Sequence, residues 1–237
     1  VEALPLEGEA AVELEGINQP PAEGVRMARI DIGTSEYFLL VNRDHDSNFN
    51  GLFDFGDING DGIPQNGDTL LGAEFDFFLT QENNPYTIGE DGRRRYQTGS
   101  GLMIWHVDET VIEQSLLQGD FPNDVSGLKG VDLEEADGVQ DMDRPGGSYS
   151  FGSHYDSFRE ENNDRFGGST LPSSRGNSGI DTGIEITGIS SPGTVMSFNF
   201  SRELPVSTAS VSFDGSTDRL SPVALQREAG TDLIILA

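Results

Sequence analysis

Residues 46–68 read D-S-N-F-N-G-L-F-D-F-G-D-I-N-G-D-G-I-P-Q-N-G-D, and their spacing constrains the fold more than any other stretch of the chain. Oxygen-bearing side chains recur at alternate positions, a glycine follows the third of each set, and a carboxylate closes each twelve-residue loop. In the first loop Asp46, Asn48 and Asn50 hold positions 1, 3 and 5, with Gly51 at the turn. Leu52 offers its carbonyl at position 7, and Asp54 and Asp57 fall at 9 and 12. The second loop opens on the same Asp57 and runs through Asn59, Asp61, Gly62, Ile63 (by its carbonyl) and Gln65 to Asp68. Calcium takes six to eight oxygens, and alternate-residue spacing with a glycine lets a short loop wrap round the ion. A solvated acidic loop would account for the composition but not for the doubled spacing. We expect two tandem calcium loops sharing Asp57.

The flanks do not make this an EF-hand. The run E-Y-F-L-L-V-N-R before the loops is a strand candidate, and T-L-L-G-A-E-F-D-F-F-L after them carries little helix-capping signal. Pro64 stands at loop position 8, where paired EF loops exchange a backbone N–H that proline lacks. Both loops close on Asp, which is shorter than the usual bidentate Glu. Residues 44–68 therefore read as a calcium-stapled insertion between strands.

The 237 residues suffice for one large or two small domains. Thirty glycines and eleven prolines suit a loop-rich β protein better than a helical one. Without cysteine there are no disulfides, and bound metal is the expected substitute in a secreted chain. A net charge of −27, with Lys129 the single lysine, repels nucleic acid and anionic membranes, so neither is an expected partner. No apolar run approaches spanning length, so membrane insertion is not expected. The start at Val1, without a leader, reads as a removed signal peptide or an excised piece.

Alternation marks the strands. Residues 1–21 suggest an edge strand and a turn, and Val25 to Val41 suggests two strands around Gly33-Thr34-Ser35. Pro85 to Thr98, with Arg93, Arg94 and Arg95, reads as a solvated polar loop. G-S-G-L-M-I-W-H-V-D at 99–108 is the clearest core strand. It puts Leu102, Ile104, His106 and Asp108 on one face, and Met103, Trp105 and Val107 on the other. A lone strand histidine such as His106 reads as hydrogen-bonded core. Glu109 to Leu117 permits a short helix, and Gly183 to Phe200 is a hairpin around Ser191-Pro192-Gly193. The pattern breaks at Arg202 to Pro205. The expected fold is mainly β with minor α (α+β): a mixed sheet over 1–201 containing the insertion, then a linker and the start of a second β domain over 202–237.

Four blocks carry a resemblance. In order they are E-Y-F-L-L-V-N-R, G-S-G-L-M-I-W-H-V-D-E, V-D-L-E-E-A-D-G-V-Q-D and T-G-I-E-I-T-G-I-S-S-P-G-T-V-M-S-F. The series resembles the immune inhibitor A family of secreted bacterial zinc metallopeptidases over about Val25 to Phe200. Val41 departs from the glutamate usual in that family before Asn-Arg. The resemblance implies the C-terminal part of a peptidase domain, extracellular or at the cell surface, with the rest of the peptidase chain as partner. Protein substrates would belong to the full-length enzyme. Zinc would sit in the upstream part, since no His here begins the H-E-x-x-H that binds it. The chain alone is thus expected to be inactive. The last stretch, S-P-V-A-L-Q-R-E-A-G-T-D-L-I-I-L-A, resembles an integrin-type propeller repeat.

Asp137, Asp141 and Asp143, with Asp156 further on, form a candidate further calcium site, which the resemblance favours over a solvated acidic loop. A non-enzymatic, calcium-dependent adhesion or surface module is the alternative reading of the whole chain. The loops yield a first prediction. An ion bound to the folded state alone stabilises it by about 2.7 kcal/mol at a hundredfold excess over Kd. Chelator should lower the melting temperature, and Asp57→Ala should shrink that response by weakening both loops. A melting curve indifferent to chelator counts against the tandem.

Overall fold

The computed structural model describes residues 1–17, 24–43, 86–88, 94–96, 99–124, 127–140, 142 and 152–203. The expected calcium loops of residues 46–68, Asp141, Asp143 and everything after 203 lie outside the described residues. The chain divides after Pro205, and the described residues all belong to the first unit, Val1–Pro205.

Two larger sheets and a two-stranded one make up the described residues of this unit. The first contains β1 (Glu2–Ala3), β3 (Met27–Asp31), β4 (Glu36–Arg43), β7 (Gly101–Asp108) and β8 (Val131–Leu133), side by side in that order. It is mixed, because β1 runs parallel to β3 while the other neighbours are antiparallel. The second holds β2 (Gly8–Glu15), β11 (Val195–Arg202), β10 (Ile184–Thr187) and β9 (Phe166–Gly167), all antiparallel. One helix, α1 (Glu109–Gln118), follows β7 directly. The described residues are therefore mainly β with minor α, in line with the alternating sequence.

The strands form where the alternation places them. Gly33-Thr34-Ser35 turns β3 into β4, and Ile32 N–H closes the turn on Glu36 O at 2.8 Å. The run before the calcium loops pairs with the clearest core strand over its whole length, Glu36 opposite Asp108 through Arg43 opposite Gly101. The 183–200 hairpin appears as β10 and β11, and the N-terminal segment supplies β2 as an edge strand. The segment 85–98, read as a loop, contains a two-stranded hairpin instead. There β5 (Tyr86–Ile88) pairs with β6 (Arg94–Tyr96), so Arg94 and Arg95 are strand residues. Tyr and Ile favour a strand, and the charge run masked that signal.

The two sheets share one apolar core. Ala28, Ile30, Phe38, Leu40, Leu102 and Ile104 come from the first sheet. Val12, Leu14, Phe166, Ile184, Ile186, Met196, Phe198 and Phe200 come from the second. On the far face of β7, Met103 joins Leu133, with Trp105 and Met142 against them, so the strand is covered on both sides. That reproduces the two faces expected for residues 102–108. Asp108 ends the strand and caps α1, accepting from Thr110 N–H at 2.9 Å and Val111 N–H at 3.2 Å. Gly119 stops the helix at φ 82°, a left-handed conformation that glycine adopts without a Cβ penalty.

Polar ties cross the core. The fully buried Asn42 amide donates to Leu14 O at 3.1 Å and to Gly193 O at 2.9 Å, joining β4 to the other sheet. At the opposite end, Arg202 Nε donates to Thr182 O at 3.1 Å and its Nη1 to Asp31 O. Asn42→Ala removes both donated bonds, each worth about 0.5–1.5 kcal/mol net, so we expect a loss of the order of 1–3 kcal/mol in urea unfolding. A loss below about 1 kcal/mol, the size of an ordinary net hydrogen bond, would refute the bridging role.

Candidate metal centre

The acidic segment E-E-A-D-G at 134–138 continues straight out of β8. Glu134 N–H donates to Ile104 O at 2.9 Å, and Ala136 N–H to Asp156 O at 2.9 Å, so the segment stays laced to its neighbours after the strand ends. Asn163 Nδ2 adds a bond to Ala136 O at 2.8 Å. Successive side chains take different partners, as the period of two requires. Glu134 meets His106, while Glu135 meets Asp137 and Asp156.

Asp156 is brought in by the tight turn at 152–156. Its carboxylate accepts from Ser153 N–H and, at 2.9 Å, from Ser153 Oγ. Its own N–H donates back to Ser153 O at 3.2 Å. Gly152 makes the turn possible. Its φ is 71°, and an added Cβ would sit on Asp156 Oδ2 and against Met142. On the other side Asp137 Oδ1 accepts from Val139 N–H at 2.8 Å, which fixes its carboxylate in an Asx turn.

One oxygen from each of Glu135, Asp137 and Asp156 lies within 4.8 Å of the others. Glu135 and Asp156 are buried and Asp137 is exposed, so the group has two walled donors and an open side. At that separation each pair of like charges repels by about 3 kcal/mol at an effective dielectric near 20. The Arg159 guanidinium lies within electrostatic range of Asp156, and its Nη1 is engaged by Ser157 Oγ at 2.7 Å. Burial, then the Arg159 charge, push the His154 pKa below the ordinary histidine value against the pull of Asp137. An all-oxygen set of three carboxylates suits a hard divalent cation rather than a soft one. The residues present fit such an ion, and the Gly152 turn leaves Asp156 room beside it.

The structure brings together two of the four residues expected for a further calcium site, Asp137 and Asp156. Asp141, Asp143 and the ligands of the 46–68 loops lie outside the described residues. Glu135 was not anticipated, although the alternate spacing Glu135-Ala136-Asp137 repeats the pattern that marks the tandem loops. His106 is hydrogen-bonded core, as its strand position implies, with Nε2 2.8 Å from Glu36 Oε1. Among the described residues no helix is long and apolar enough to cross a membrane. Comparison with family models, with curated proteins and with solved structures returned no match.

The turn yields a sharp test. Gly152→Ala puts a Cβ at positive φ, costing about 1–2 kcal/mol, and pushes the methyl onto Asp156. For a unit of this size each kcal/mol lowers the melting temperature by about 2–4 °C. We expect a fall of at least that size together with weaker cation binding. Unaltered melting and binding would show that the close approach of Gly152 to Asp156 is not needed.

Proposed function

We propose that this chain is the calcium-binding, structure-supporting portion of a secreted metallopeptidase whose catalytic zinc motif lies upstream. The observation that carries the reading is the convergence of Glu135, Asp137 and Asp156 on one another, two of them buried, beside a glycine turn. The four-block resemblance supplies the peptidase context. A cation at this cluster would cross-link the segment after β8 to the turn at 152–156, two stretches joined otherwise by the Ala136–Asp156 backbone bond. Glu135 and Asp156 would hold it from the buried side, and Asp137 would close the open side. A binding ion replaces three-way carboxylate repulsion with attraction, so it stabilises the folded state alone.

In this reading the chain positions a sheet and does no chemistry itself. The zinc would be held by residues of the upstream part, and no step of the reaction is assigned to side chains here. Calcium titration by calorimetry, with Asp156→Asn alongside, tests the cation claim. We expect affinity in the range of roughly 10⁻⁴–10⁻³ M typical of extracellular modules, and a loss of one binding event in the variant. Identical titrations for the two proteins would remove this site. A casein assay on the full-length gene product tests the peptidase context, with no turnover expected from this chain alone. A full-length product that binds calcium but lacks an H-E-x-x-H helix would make the chain an adhesion or surface module instead.

A further inference from the structure

Glu36 at the start of β4, His106 in β7 and Glu134 just past β8 meet across three neighbouring strands. His106 Nε2 lies 2.8 Å from Glu36 Oε1, and His106 Nδ1 lies 3.4 Å from Glu134 Oε1. A neutral imidazole has one N–H and one lone pair, so it satisfies one carboxylate and opposes the other. The imidazolium donates to both. The ring is buried, with the Phe38 ring 4.7 Å away, so water is a poor substitute for either partner.

The surroundings favour the charged form. Glu36 reaches the ring from β4 and Glu134 from beyond β8. Asp108 lies on the same face of β7, and Asp132, on β8, is the register partner of His106. Lys129 is engaged by Asp132 at 2.9 Å, and Arg175, beyond the turn at 176–177, is paired with Asp181 at 3.4 Å. Glu109, at the start of α1, accepts from Tyr37 OH at 3.1 Å. From β9 the core contributes Phe166, packed on Phe38. Burial opposes the charge on His106. Hydrogen bonds to Glu134 and Glu36, and their charges, outweigh it and hold the pKa above the ordinary histidine value.

We propose that Glu36, His106 and Glu134 form a proton-operated latch that fastens the end of β8 to the central sheet. Its two arms are unequal. Glu36 Oε1 also accepts from Asn177 N–H at 2.6 Å, and its contact with the ring is the shorter one. When the proton leaves, the remaining N–H stays with Glu36, and Glu134 is left facing a lone pair. The Glu134 arm opens, while the Asn177 turn remains tied to Glu36 and, through Asn177 Nδ2, to Asp108 Oδ2 at 3.0 Å. Because the folded pKa lies above the unfolded value of about 6.5, the latch contributes fully below that pH. Its contribution is lost as pH rises through the folded value.

The test follows the His106 ring by NMR across pH in the full chain at one calcium concentration, alongside amide exchange. The midpoint should lie above the ordinary histidine value. The Glu134 amide, which donates to Ile104 O, should lose at least tenfold protection across that midpoint after correction for base catalysis. The Asn177 amide should not. Glu134→Gln, which keeps shape and removes the charge, should lower the midpoint by about one unit or more. A midpoint at or below the ordinary value overturns the latch, as does Glu134 protection that ignores the proton. Both readings come from the unaltered chain, so they stand even where the variant fails to fold.

Discussion

β7 is hydrogen-bonded on both sides and covered on both faces, and the other described elements take their places from it. Its eight residues pair with β4 along one edge, and Trp105 to Val107 pair with β8 along the other. Leu102 and Ile104 enter the core shared by the two sheets, while Met103 meets Leu133 behind it. A strand enclosed in this way fixes register, since a one-residue slip would carry every apolar side chain to the wrong face. The helix cap at Asp108, the latch histidine and the anchor for Glu134 all follow from that register.

The second constraint is charge. A chain with 41 acidic and 14 basic residues must answer whatever carboxylates it buries. Buried carboxylates left unpaired are costly, and the usual remedies are pairing or a bound cation. The segment after β8 meets that demand on two adjacent residues. Glu134 lies against His106 Nδ1 on one side, and Glu135 joins the acidic cluster on the other. A histidine contact and the proposed cation site thus lie back to back on one short stretch of chain.

Much of the sheet architecture was legible in the sequence because a period of two is a local property. The hairpin at 183–200, the turn at 33–35 and the two faces of 102–108 follow from alternation and turn residues alone. The β5–β6 hairpin was not legible, because Arg93-Arg94-Arg95 reads as a charge run while the pairing of Tyr86 with Tyr96 is invisible locally. Two of the three residues of the acidic cluster were legible too: Asp137 and Asp156 stand out as oxygen donors, but Glu135 hid within a strand-like block.

By itself the sequence determined which residues could carry oxygen ligands, where the long strands run and which face of each is apolar. It determined also that His106 shares a face with Leu102 and Ile104. Tertiary structure decided what lies across from each side chain. Alternation says that Glu134 and Glu135 point different ways. It cannot say that one faces a histidine from β7 and the other an aspartate from the turn at 152–156. Those partners meet through sheet pairing and through the Ala136–Asp156 backbone bond, contacts between segments far apart in the chain. Local spacing encodes direction, and only the closed fold supplies the neighbour.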